Sequence, residues 1–221
     1  MKLEGITYDE RVPEPEAFFG FEIGDWHRFT GGGIGSFVGL TPSEHSSGAS
    51  RAQGSITKTG NTHARRLLIE AARVTKQVLD AMSVPSFCKT SGSTGLHIYI
   101  PLGRKYTYEE SKEFGRAVAR TVHGQIPAFT SIERLTANRN GKMYIDFLQN
   151  RPQATVAGPY SLRPKPGAPV SMPLHWDEVK KGLKIADFNI RNAIPRLAET
   201  GDLFKGVLGK GIDVGKALKK L

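Results

Sequence analysis

The sequence predicts a mixed α/β fold of the α+β kind, and three stretches carry that expectation. LHIYIPL (96–102) alternates with a period of two and puts Leu96, Ile98 and Ile100 on one face. TYEESKEFGRAVARTVHGQ (107–125) repeats its apolar residues at helical spacing behind Thr107, a predicted N-cap. KMYIDFLQN (142–150) alternates again, Met143, Ile145 and Phe147 against Tyr144, Asp146 and Leu148. The chain has 221 residues, enough for one good core or two small domains.

The other elements follow in chain order. Residues 1–12 read as irregular, and EAFFGFEIGDWHRF (16–29) as a short helix after Pro13 and Pro15. GGGIGSF (31–37) is a glycine-rich break; it lacks both a preceding strand and a following lysine, which excludes a P-loop. Residues 41–61 are polar and hydroxyl-rich and read as loop. THARRLLIEAARVTKQVLDAMS (62–83) is a long helix pattern through Leu67, Leu68, Ala71, Ala72, Val78 and Leu79. SFCKTSG is a short strand running into a loop. Residues 153–174 read as one or two strands broken by prolines, and HWDEVKKGL, DFNIRNAIPRLAE and the tail as helices. The first part is thus predicted to be mostly helical and the second α/β.

Charge divides the chain in the same place. Residues 1–73 sum to −1 and residues 74–221 to +11, so the whole excess lies in the second part. A surface this basic favours a polyanion, nucleic acid or nucleotide, through steering and counterion release. No apolar run approaches the roughly 20 residues of a membrane span, and the amino terminus lacks the apolar core of a secretory signal. One cysteine, Cys88, excludes an internal disulfide and a cysteine-rich zinc site and fits a reducing cytoplasm.

Three features of the second part carry chemistry. Lys89-Thr90-Ser91-Gly92-Ser93-Thr94-Gly95-Leu96-His97 joins glycines that let backbone close on an anion to donor hydroxyls and a histidine that donates or positions. A phosphate fits it, as does an ordinary turn ending at a core histidine. Asp146 is a lone carboxylate in an apolar strand, which calls for a partner such as a divalent metal, or for a solvent-facing edge. Arg163, bracketed by prolines in PYSLRPKPGAPVS, is a stiffly held cation suited to phosphate, or a partner for Asp177 or Glu178.

KTSGSTGLHIYIPL, YIDFLQN, ATVAGPYSLRPKPGAPVSMPLHWDEV and TYEESKEFGRAVAR together resemble the polymerase domain of bacterial DNA ligase D, of the archaeo-eukaryotic primase superfamily, over residues 74–210. The resemblance implies a nucleotidyltransferase that adds nucleotides, ribonucleotides preferred, to DNA ends in non-homologous end joining, with Mn2+ or Mg2+. It implies that Ser91, Thr94, His97 and Arg163 hold the nucleotide, and that Asp146 is the third metal carboxylate and a catalytic residue. At Thr94 many members carry lysine. A ligase module and a Ku-type end-binding protein are the implied partners, and a bacterial cytoplasm, at the nucleoid, the implied location.

The same resemblance implies an Asp-x-Asp pair a few dozen residues upstream of the clamp. No aspartate lies between Asp25 and Asp80, and that window holds Glu44 and Glu70 as its carboxylates. The domain is therefore expected to be an incomplete primase-like domain, impaired in catalysis and with an open sheet edge. Upstream, FVGLTPSEHSSG and GSITKTGNTHARRLLIEAA, within residues 22–72, resemble the carboxy-terminal domain of DEDD-type insertion-sequence transposases. That resemblance implies a cleavage serine at Ser47, with Ser46 as the alternative. The reading is a transposase-like helical fragment over 1–73 joined near Arg73-Val74 to a ligase D polymerase-like domain over 74–221. Two alternatives stand beside it: a DNA- or nucleotide-binding module without catalysis, and a transposase remnant.

Overall fold

A computed structural model describes residues 62–221 and, upstream of them, the backbone of three strands. In chain order these strands are β1 (Ala17–Glu22), β2 (Pro42–Glu44) and β3 (Gln53–Ile56), followed by helix α1 (Thr62–Ala81). Then come β4 (Phe87–Thr90), β5 (Leu96–Ile100), α2 (Tyr108–Gln125), β6 (Thr130–Ser131), β7 (Met143–Asp146) and β8 (Pro173–Leu174). Two short helices, α3 (Ala193–Thr200) and α4 (Val214–Leu218), end the chain.

Six strands form one sheet in the order β6-β7-β1-β5-β4-β8, parallel at β6–β7 and antiparallel elsewhere. Leu96, Ile98 and Ile100 are fully buried, as the period of two requires. They share one core with Leu68, Ala71, Ala72 and Leu79 of α1 and Phe114, Val118 and Val122 of α2. Thr107 is the N-cap of α2: its hydroxyl accepts from Glu110 N–H while the Glu110 carboxylate accepts from Thr107 N–H at 2.7 Å, a closed capping box. Helix α1 runs unbroken across position 73, and its buried face is continuous on both sides, from Leu68 to Leu79.

Five expectations change. Residues 17–22 are a strand, not part of a helix: AFFGFE is rich in β-formers, and the unpaired backbone of β5 and β7 on either side gives it two ladders. The sheet consequently has no gap at its centre, and the open edge expected from a truncated domain is filled from upstream. Within residues 41–61, β2 and β3 pair with each other as a two-stranded ribbon instead of remaining loop. HWDEVKKGL is one 3-10 turn, Trp176–Glu178, which ends where Val179 leaves helical geometry with φ −78° and ψ 70°. In DFNIRNAIPRLAE the helix waits until Ala193, which leaves Pro195 in the first turn, where its missing N–H costs nothing.

Candidate nucleotide site

The register of the sheet sets out the site. Asp146 of β7 faces Gly20 of β1, Gly20 faces His97 of β5, and His97 faces Lys89 of β4. These four positions form one row on one sheet face, opposite the face that carries Leu96, Ile98 and Ile100. Gly20 adds no side chain to the row. At about 4.8 Å per strand, the backbone at Asp146 and at His97 lies roughly 10 Å apart.

The clamp loop follows β4. Ser91 Oγ accepts from Ser93 N–H at 3.1 Å and Gly95 N–H at 3.0 Å, and Ser91 N–H donates to Gly95 O at 2.9 Å. The hydroxyl therefore closes the turn as an acceptor and keeps its own proton for donation. Gly92 has φ 65°, and a Cβ there would meet Arg163 Cγ at 2.5 Å and Ser171 N at 2.9 Å. Glycine is required because the Arg163 stem lies on the loop. Thr94 is half-buried in the same turn.

Arg163 comes from the segment that returns beside the loop, its backbone N–H on Pro169 O at 2.8 Å. Its Nε is buried and has no hydrogen-bond partner. Glu178, its candidate partner from the sequence, is taken by Arg196 at 2.6 Å. A buried guanidinium donor left unsatisfied costs free energy that an anion would recover.

Lys89 is fully buried beneath His97. Its Nζ lies 2.6 Å from Ser171 Oγ, 2.8 Å from Ala157 O and 3.0 Å from His97 Nδ1. Burial pushes its ammonium down to about 7; Cys88 opposes that, and Arg163 adds a lesser push in the same direction as burial. Burial, then Lys89 and then Arg163, hold His97 well below the usual imidazole range. Arg163 thus lowers the proton affinity of both Lys89 and His97 beside a polar loop, a concentration of positive charge suited to an anion.

Asp146 sits 7% exposed in an interior strand, which settles its alternatives against a solvent-facing edge. Burial raises its carboxyl, while the Leu148 N–H at 2.8 Å, Gln149, Tyr144 and Arg139 pull it back. Among the described residues no three acidic, histidine or cysteine side chains gather as a metal cluster. Asp146 therefore fits one cation ligand; the described side chains do not make the carboxylate set that two metals need. By the two-residue pleat, position 22 of β1 shares the face of Gly20 and Asp146.

The structure brings Ser91, Thr94, His97 and Arg163 together, with Asp146 two strands from His97 on the same row. Ser47 and Ser46 lie outside the described residues. Three residues had no role of their own in the sequence reading. Lys89 underlies His97. The Lys165 ammonium hydrogen-bonds Ser93 Oγ, so a cation stands one residue from Thr94. Arg139 stacks 3.9 Å over the Tyr144 ring, beside Asp146. A lysine inside the apolar strand FCKT was a usable signal for the first; the other two depend on loops folding back.

The LigD primase-polymerase domain model matches residues 61–204, and a model of the IS116/IS110/IS902 transposase family matches residues 17–83. The bifunctional non-homologous end joining protein LigD of Bacillus subtilis (strain 168) is 36% identical over 136 residues, 61% of this chain and 22% of that protein. The multifunctional LigD of Pseudomonas aeruginosa PAO1 is 32% identical over 132 residues, 60% of this chain and 16% of that protein. The chain thus spans a small part of the length of the curated relatives it matches. The solved polymerase domain of Mycobacterium tuberculosis ligase D in complex with DNA superposes with a TM-score of 0.65 at 22% identity, over 89% of this chain and 56% of that one. That likeness establishes the fold.

Proposed function

The chain belongs to the LigD primase-polymerase domain family, and from that premise we propose that it holds a nucleoside triphosphate, a ribonucleotide by preference, at DNA ends in non-homologous end joining. The observation that carries this reading is the buried, partnerless Arg163 Nε over a loop that Gly92 keeps open, beside His97 and Lys89. Ser91 donates its hydroxyl proton to phosphate, His97 and Arg163 take the remaining charge, and Lys165 stands in at Thr94 for the family's lysine. Asp146 holds a Mn2+ or Mg2+ ion beside the phosphates, and that ion would stabilise charge on the transferring oxygens. Nucleotidyl transfer is impaired, because the Asp-x-Asp pair is missing and Gly20 occupies the row position between Asp146 and His97.

The partners we assign are DNA ends, a ligase module and a Ku-type end-binding protein, in a bacterial cytoplasm at the nucleoid. Among the described residues no helix is long and apolar enough to cross a membrane. We place the junction between the transposase-like segment (1–73) and the polymerase-like domain (74–221) inside α1, where the two family matches overlap. The match over residues 17–83 supports a second reading, a transposase remnant, in which Ser47 is a former cleavage serine.

The test is a thermal melt of the full chain with Mn2+, with ATP, and with both, followed by extension of a DNA end with ribonucleotides. The expected result is an upward shift with ATP, larger with Mn2+, and little or no extension. Absence of any shift with ATP would sink the proposal. Strand cleavage lost in Ser47→Ala would replace it with the second reading.

A further inference from the structure

We propose that a groove between α1 and the turn at residues 181–184 is a second anion site, which takes the phosphate backbone of DNA and shares no residue with the nucleotide clamp. The choice of DNA among polyanions rests on the reading above that the chain works at DNA ends.

Two adjoining hollows of about 460 Å³ and about 440 Å³ make up the groove, joined at Arg66, Ile69 and Lys181, which line both. Helix α1 forms one wall. His63, Arg66, Glu70, Arg73 and Gln77 recur on it at intervals of three and four residues, so they stand on one face along a length of roughly 20 Å. The other wall is a β-turn. Leu183 N–H donates to Lys180 O at 3.0 Å, with Gly182 in the third position at φ 103°, a conformation that favours glycine. That turn sets Lys181 and Lys184 against the helix.

The walls do not neutralise their own charge. Arg66, Arg73, Lys181 and Lys184 are exposed, and among the described residues none of them forms a salt bridge. Arg65 lines the groove as well. Glu70 is the one carboxylate among the described lining residues, and it pairs with neither Arg66, four residues before it, nor Arg73, three after it. Like charges held along a shared hollow repel unless an anion enters, and the shape selects which anion. The clamp presents a buried guanidinium donor over a short loop, a fit for a compact phosphate group. The groove presents exposed cations at intervals along an open length, a fit for phosphates in a row, contacted without reading any base. Its apolar lining, Ile69, Val74 and Leu183, is buried or half-buried, so it projects no side chain into a lipid surface. On its inner side α1 packs against Leu96, Ile98 and Ile100, on the sheet face opposite the row of His97 and Asp146. The sheet therefore stands between groove and clamp, and DNA affinity and nucleotide affinity are separable.

The test is binding of a fluorescein-labelled DNA duplex to the full chain, followed by anisotropy between about 50 and 200 mM KCl. The parent is expected to bind with a steep salt dependence. Arg66→Ala combined with Lys181→Ala should lower affinity roughly tenfold or more and reduce the log–log salt slope by about 2, one for each phosphate contact removed. Lys216→Ala combined with Lys219→Ala removes the same charge at α4, outside the groove, and should change little. Arg73→Ala combined with Lys184→Ala takes the place of the first variant should that one fail to fold. No binding by the parent, equal losses in groove variant and control, or an unchanged salt slope in the groove variant overturns the proposal. Binding to phosphatidylserine vesicles with none to the duplex overturns it in favour of a membrane surface. The thermal shift with ATP tells the two sites apart: the groove variants keep it, whereas Arg163→Ala loses it and keeps its affinity for the duplex. Duplex binding through the groove without any ATP shift removes the triphosphate reading and leaves the groove standing; an ATP shift without duplex binding does the reverse.

Discussion

The two ends of one row of the sheet are built to different standards. At the Lys89–His97 end, buried polar atoms are bonded in a network that leaves Arg163 Nε without a partner. Ser91 ties the loop, Ser171 ties Lys89 to Thr90, and Arg163 is laid across Gly92. At the Asp146 end, one carboxylate is held by a neighbouring N–H and carries a raised proton affinity, with no metal cluster among the described residues. Binding a triphosphate needs fixed donors and positive charge. Transferring its phosphoryl group needs several carboxylates in one place. Those two requirements reside on different strands, so one can survive the loss of the other.

The comparison breaks most visibly at Arg163. Arg163→Ala is expected to weaken ATP binding by roughly 2–4 kcal/mol, as removal of one member of a desolvated charged contact does. Calorimetric titration would show it, and an unchanged affinity would move the phosphate elsewhere.

A second test concerns the linkage of Lys89 to stability. Its proton affinity is lowered in the folded chain from 10.5 to about 7, so between those values the unfolded chain binds more protons. Stability should therefore rise with pH above about 7, at up to about 1.4 kcal/mol per pH unit. From about pH 9 the rise is opposed by Cys88, whose thiol ionises there in the unfolded chain and not in the folded one. Urea melts at pH 7, 8 and 8.5 check the slope, which Lys89→Met should flatten.

At the other end, Asp146→Asn should raise stability without metal by about 1 kcal/mol, since it removes a charge disfavoured by burial. The sign follows from the raised carboxyl: the folded chain binds the extra proton, so stability falls as pH rises through that window. The same variant should lose the upward shift that Mn2+ gives the parent. The smallest effect is the control: Thr107→Ala should cost about 1 kcal/mol through the α2 cap and leave ATP affinity alone.

Much of the architecture was legible beforehand. LHIYIPL, α1, the Thr107-capped α2 and the strand ending at Asp146 announce themselves by local periodicity and capping, which the chain carries wherever it folds. That Ser91, Thr94 and His97 lie close together was legible because they share one short stretch, whereas Arg163, far along the chain, comes to the loop only in the fold. AFFGFE was misread because its apolar run suits a buried helix as well as a strand, and length alone did not arbitrate.

What the sequence by itself determined is therefore local: element types where a period is long enough, the basic bias after residue 73, and the family to which the clamp belongs. The tertiary structure decided the rest. It inserted β1 between β5 and β7 because unpaired strand backbone must find donors and acceptors. It set Asp146, Gly20, His97 and Lys89 in one row because register fixes which residues share a face. It also buried Lys89 with three polar partners drawn from residues 97, 157 and 171, brought together only in the fold. Hydrogen-bond partners and burial are properties of neighbours in space, and a linear pattern does not encode them.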